Sequence, residues 1–201
     1  MIKQTAAAKL TIDLKFRAVF SRRNATRLKR VGLRNRALIA VMTFAFARIG
    51  AFVAMRVEDY FPRGKRWWVR RHEKGGKSHE MPAHHNLDAY LDAYIEAAKI
   101  RDGGKAPLFR SAARRTGTLT EKPMNRVDAW RMIQRRAADL GARVRIGCDR
   151  FPAAGITAYL ESGGRLENAQ AMAAHESPCT TKLYDHTGDE IKLDEVERIT
   201  I

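Results

Sequence analysis

Cysteine is scarce in this chain: Cys148 and Cys179 are the two thiols among 201 residues. Two thiols cannot build the disulfide framework of a small secreted domain or a four-thiolate zinc site. A reduced, cytoplasmic setting is the simple expectation. Long apolar runs are missing as well. The longest stretch, Ala37 to Phe46 and onward to Met55, is cut by Arg48, which makes it too short and too punctuated for a bilayer span, so no membrane partner is expected. The first residues lack the charged, then apolar, then small order of a secretory signal. Acidic residues are also few, with 22 Asp and Glu against 38 Lys and Arg and a formal net charge of +16. Such an excess attracts polyanions over long range and gains from counterion release when phosphates are bound. Charge alone does not separate a DNA-binding protein from an RNA-binding or ribosomal one. Apolar residues make up 45% of the chain, enough for a core and too many for disorder by composition.

What is present reads as one mainly helical unit. Residues Met1 to Arg30 are basic and weakly patterned, and are expected to form an arm or linker, either a solvated tail or an arm laid along DNA. Apolar residues recur with helical spacing from Leu33 to Ala47. Ile49-Gly50 is expected to break that run, and Ala51 to Val57 to resume it. Trp67-Trp68-Val69 is rich in strand formers, Glu73 to Lys77 reads as a turn, and Ser78 to Pro82 as the returning strand. Leu87, Leu91, Tyr94, Ile95 and Ala98 mark an amphipathic helix. Asp102 to Thr120 reads as a Gly- and Arg-rich loop around Leu108-Phe109. Pro123 stands near the start of a helix that Gly141 closes. Phe151 to Leu160 and Leu166 to Ala174 are helical, and Leu193 to Ile201 is expected to form a short terminal element. The expected fold class is mainly α with a small antiparallel β-sheet.

The segment Ala174-His175-Glu176-Ser177-Pro178-Cys179-Thr180-Thr181-Lys182-Leu183-Tyr184 carries the sharpest chemical signal. Ser177 suits a helix cap and Pro178 its first turn. Tyr184 follows His175 by nine residues, which brings a phenol and an imidazole near one short helix. The other histidines, His72, His79, His84, His85 and His186, lack the spacing of a metal set.

This segment resembles the nucleophile segment of tyrosine recombinases, the phage integrases, and the resemblance runs from about Leu33 to the C-terminus. Phe44-Ala45-Phe46-Ala47-Arg48-Ile49-Gly50-Ala51 is similar to the stretch that carries the family's first arginine, here Arg48. Lys74-Gly75-Gly76-Lys77 fits the family's Lys-Gly-x-Lys hairpin turn, with Lys74 as the catalytic lysine and Lys77 beside it. The family's His-x-x-Arg motif falls on Asp149-Arg150-Phe151-Pro152. Asp149 therefore stands at the histidine position and Pro152 at the second arginine position.

The resemblance implies a catalytic domain over residues 31–201, with the basic arm over residues 1–30 in place of the family's N-terminal core-binding domain. It implies double-stranded DNA as partner, a homo-oligomer (a tetramer on DNA) or an intact recombinase as a further partner, and a bacterial or phage-derived cytoplasmic protein. It implies attack by Tyr184 on a DNA phosphodiester to give a 3′-phosphotyrosyl link, without metal or cofactor, with Arg48, Lys74 and His175 around the phosphate. Pro152 brings neither charge nor donor. Losing one preorganised donor costs on the order of 3–4 kcal/mol at such a site, so impaired cleavage is expected. A non-catalytic DNA-binding relative and a truncated mobile-element remnant are the alternatives. Lys77, Arg110, Arg114 and Arg115 are candidate phosphate contacts, and the three arginines fit a solvated loop equally.

Overall fold

The computed structural model of the chain describes residues 30–73, 76–113, 116–139, 141 and 145–185. The basic arm before Arg30, the terminal Leu193 to Ile201 segment, Lys74, Arg114 and Arg115 lie outside the described residues.

Helix α1 (Arg30–Phe44) is the central post, with every residue from Ala37 to Thr43 buried. A helix apolar all round belongs inside a core, and α1 packs on α3 (His85–Ala98) and on α5 (Arg150–Glu161). Gly155 permits the second crossing: a Cβ there would lie 2.1 Å from the Thr43 carbonyl oxygen and 2.9 Å from the Phe46 ring. The main core joins Leu38, Met42, Phe52, Met55, Leu87, Leu91, Tyr94 and Phe109. A second cluster gathers Phe46, Ile156, Leu160, Ala169 and Ala173, with Tyr184 packed against it.

The break after α1 falls at Ala45–Arg48, and Ile49-Gly50, expected as the break, opens helix α2 (Ile49–Val53). The cause is backbone conformation: Phe46 adopts a φ of 52°, a left-handed turn that a bulky residue rarely takes. Its ring is held in the second core cluster, which supports the turn.

Strands β1 (Tyr60–Arg63), β2 (Arg66–His72) and β3 (Ser78–Pro82) form an antiparallel sheet in the order β1-β2-β3. Pro62 is tolerated because β1 is an edge strand. Val69 faces Tyr60 on one side and Met81 on the other, and Arg71 faces His79. Residues two apart on a strand share a face, so Arg71 follows Val69 on the buried side.

A second hairpin, β4 (Arg110–Ala112) with β5 (Leu119–Pro123), occupies the stretch expected to be a loop. Its strands are short, polar and interrupted by a register shift, so they carry no alternating pattern. Pro123 ends β5 and does not open the next helix. Helix α4 (Arg126–Asp139) is instead started by Asn125, whose Oδ1 accepts the Asp128 N–H at 2.7 Å, an N-cap bond. Helices α6 (Leu166–Ala173) and α7 (Pro178–Lys182) complete the described chain. No helix among the described residues is long and apolar enough to cross a membrane.

Candidate active site

His175 and Tyr184 come together where the end of α6 and the end of α7 meet, and Arg48, at the α1–α2 break, is near enough for its charge to act on His175. Arg48 is the residue before α2, in an extended conformation, and its side chain is exposed between the fully buried Ala47 and the buried Ala51. Among the described residues no carboxylate pairs with its guanidinium.

His175 is placed by the way α6 ends. The N–H of Ala174 donates to Ala171 O at 3.1 Å and that of His175 to Gln170 O at 3.1 Å, the pattern of a Schellman stop. Glycine usually fills the left-handed position, whereas here it is Ala174 with φ 51°. The turn delivers the His175 ring to Thr181, with Nδ1 2.9 Å from the fully buried Oγ1 side chain.

Helix α7 starts as the sequence expects. Ser177 Oγ accepts the Cys179 N–H at 3.3 Å and Pro178 occupies the first turn. Tyr184 lies just beyond the helix, where its backbone carbonyl accepts a hydrogen bond from Thr157 Oγ1 at 3.1 Å. The His175 and Tyr184 rings stand 6.2 Å apart, centroid to centroid, at 27° to one another.

The charge around His175 comes from three side chains. Burial lowers its pKa first, and the cations of Arg48 and Arg71 lower it further, against the opposing charge of Glu73. Arg48 and Arg71 thus act on one imidazole from the α1–α2 break and from β2. Arg71 is fully buried, and its Nη2 donates to Met172 O near the end of α6 at 2.6 Å. Its Nη1 stands 3.2 Å from Glu73 Oε1.

Lys74 itself is outside the described residues, but its hairpin reaches the site: Lys77 Nζ donates to Glu176 Oε1 at 3.2 Å, next to His175. Both of those side chains are exposed, so this pair contributes little stability. Arg110 is half-buried on β4, with Nε 3.4 Å from Pro107 O, while its own carbonyl accepts from buried Arg34 at 2.6 Å.

Asp149 and Arg150 are exposed at the start of α5, and Pro152 is buried in its first turn. Neither Asp149 nor Pro152 carries a cation, and Arg150 stands two residues, about 200°, round the helix from Pro152.

Sequence reasoning missed Arg71, Glu73, His79 and Thr181. A signal for Arg71 existed: continuing the strand alternation inward from Val69 puts an arginine on the buried face. Nothing local marked Thr181, because its partner comes from the turn after α6.

The chain matches the model of the phage integrase family over residues 20–190. It belongs to that family, the tyrosine recombinases. No curated protein matches the chain. The fold is similar to that of XerA recombinase, with TM-score 0.65, 15% identity, and coverage of 92% of this chain and 61% of that one. It is also similar to XerH site-specific recombinase, solved bound to its difH substrate in a pre-cleavage complex, with TM-score 0.63, 15% identity, and coverage of 85% and 47%. A lambda integrase dimer bound to a COC′ core site gives TM-score 0.60, 16% identity, and coverage of 89% and 47%. The chain therefore spans about half the length of these solved proteins, and at such identities the likeness is one of fold. The mainly helical architecture with small antiparallel sheets is that of tyrosine recombinase catalytic domains.

Proposed function

We propose that this domain binds double-stranded DNA and acts in integration or recombination through a 3′-phosphotyrosyl intermediate, at a rate lowered by the loss of two motif side chains. The observation that carries the proposal is the meeting of the Tyr184 phenol with the His175 ring at 6.2 Å, in the field of the Arg48 cation.

In this proposal the Tyr184 oxygen forms a bond to phosphorus while the bond from phosphorus to the 5′-oxygen breaks. The phenol proton passes to solvent, and Lys74 protonates the departing 5′-oxygen. Charge grows on the non-bridging oxygens in the transition state, so preorganised cations and donors lower the barrier. Arg48 offers a planar fork to two of those oxygens. Thr181 donates its hydroxyl proton to His175 Nδ1, which fixes the ring proton on Nε2 as a donor to the phosphate. The energy of the broken bond is kept in the phosphotyrosyl link, so rejoining to another 5′-hydroxyl needs no cofactor. Lys77 and the arginines Arg110, Arg114 and Arg115 are proposed phosphate contacts outside the reacting centre. The family's tetramers on DNA are the model for its proposed assembly, with self-association or pairing with an intact recombinase.

The buried Pro152 and the exposed Asp149 favour a second reading, a DNA-binding relative that does not cleave. A suicide substrate with a nick beside the scissile phosphate separates the two. Cleavage gives a covalent protein–DNA adduct in the native chain and none in Tyr184→Phe, with DNA affinity unchanged. Equal affinity and no adduct from either chain would leave the second reading standing.

A further inference from the structure

The face of β2 that continues from Val69 holds a set of buried polar atoms whose hydrogen-bonding capacity is unused. Arg71 is fully buried; among the described residues its Nε has no hydrogen-bond partner, and its Nη1 has only the ion pair with Glu73 Oε1 at 3.2 Å, outside hydrogen-bond geometry. Glu73 Oε1, on the other side of that ion pair, and His79 Nε2 are buried and make no hydrogen bond among the described residues. The three residues are neighbours by construction: Arg71 and His79 are directly paired across β2 and β3, and Glu73 follows Arg71 on the same face. A guanidinium carries five donors, and here one is spent on the Met172 carbonyl.

A purely structural clamp on the end of α6 accounts for that single bond, since cations are favoured at helix C-termini. It does not account for the buried Nε left without an acceptor among the described residues, nor for an Nη1 held only by an ion pair to Glu73, an arrangement that costs free energy unless something fills it. Their nearest anion is the Glu73 carboxylate, 3.2 Å from Nη1. That carboxylate also acts on His79 and on His175, while Arg48 acts on Arg71 and on His175. Glu73 thus sits as an anion among the side chains that the proposed reaction would gather around a phosphate.

We propose that Arg71, reaching in from β2, is a second phosphate-binding guanidinium of this domain, supplying the charge that Pro152 does not, and that Glu73 fills its donors until a DNA phosphodiester displaces it. The inference rests on the proposed DNA function for the identity of the phosphate. It explains how phosphate capture survives the loss of the motif arginine, and why an arginine is held at a core position of a small sheet.

The test uses inorganic phosphate as probe, titrated against sodium chloride at matched ionic strength. Binding is read from the His175 and His79 ring resonances and from the rise in melting temperature, which follows from preferential binding to the folded state. Arg71→Met should weaken phosphate binding by about 10- to 100-fold, the range of one charge-assisted hydrogen bond. Arg71→Lys should recover only part of it, because an ammonium lacks the fork. Glu73→Gln should do the opposite and tighten binding. Two substitutions on one salt pair moving affinity in opposite directions is a signature that a structural clamp does not produce. Unchanged phosphate affinity in folded Arg71→Met overturns the proposal. Should Arg71→Met not fold, Glu73→Gln decides alone, and binding no tighter than in the native chain overturns it. The adduct assay with nicked DNA is read separately: loss of the adduct with intact phosphate binding refutes the cleavage reading and leaves this site in place.

Discussion

The hydroxyl of Thr181 lies 2.9 Å from Nδ1 of His175, and its side chain is fully buried between the turn after α6 and the start of the segment that carries Tyr184. One hydrogen bond therefore links the stop of α6 to α7, just before Tyr184, and the imidazole and phenol rings stand at 27° to one another. A neutral imidazole has one donor and one acceptor nitrogen, and the partner of one fixes the role of the other.

Thr181→Val keeps the shape of the side chain and removes that bond. Folding should be retained, at a cost of about 1–3 kcal/mol for the unmet ring nitrogen. Adduct formation should fall by about tenfold or more, since 1.4 kcal/mol off transition-state stabilisation is a factor of ten, while DNA affinity stays near that of the native chain. Single-turnover cleavage beside an equilibrium binding measurement checks this. An unchanged cleavage rate in a folded protein removes the tautomer argument.

Much of the scaffold was legible in the sequence because it rests on periodicity. The helices carrying Leu38, Leu87 and Ile156 announce themselves by apolar spacing, and the β2–β3 hairpin by its aromatic run and Gly-Gly turn. The β4–β5 hairpin was not legible, because Arg110–Ala112 is too short to alternate and its partner strand is polar. The helix break was misplaced by a few residues because glycine at position 50 looked like the stop. The turn is in fact made by Phe46, whose left-handed backbone goes with a ring packed in the second core cluster. The His175–Tyr184 pair was readable from spacing and a Ser-Pro helix start. The Arg71–Glu73–His79 group was not, since it depends on cross-strand register, and a basic strand in a chain of net charge +16 looks like solvated surface.

Acid should destabilise this domain through its histidines. His79, His84 and His175 each have a folded pKa below the ordinary value, with burial the leading cause in all three. Around His79 and His175 the further charges are Arg71 of β2 and Glu73 just after it, and for His175 also Arg48. The folded state therefore binds fewer protons than the unfolded chain once the pH drops below about 6.5. Their contribution is fully present above that value and is lost as the pH falls toward the lowered folded pKa values. Urea midpoints at pH 7.5, 6.5 and 5.5 should fall in that order, and His79→Gln should flatten the slope. A midpoint that stays level to pH 5.5 contradicts the burial of these rings.

Gly155→Ala probes the packing that supports Arg48. The added methyl would lie 2.1 Å from Thr43 O and 2.9 Å from the Phe46 ring, contacts that backbone cannot absorb in place. Overpacking of this kind costs roughly 1–3 kcal/mol. Part of the relief must come from Phe46, two residues before Arg48. The melting temperature should drop, and DNA binding per folded molecule should drop with it. Stability as in the native chain would mean that α1 and α5 are farther apart than this packing requires.

Restoring the motif at the start of α5 tests both the proposed impairment and its partial remedy. Asp149→His with Pro152→Arg removes a carboxylate from beside the proposed phosphate, where it repels, and adds a guanidinium in the helix's first turn. The backbone N–H regained on losing proline belongs to the helix terminus and needs no partner within the helix. Adduct formation should rise by about 10²–10³-fold, the worth of one preorganised donor. Arg71 is proposed to serve the same phosphate, so the gain should be non-additive and larger in an Arg71→Met background. Equal gains in the two backgrounds would separate Arg71 from the phosphate. A folded double variant with no gain in either background would mean that Asp149 and Pro152 do not occupy the motif positions.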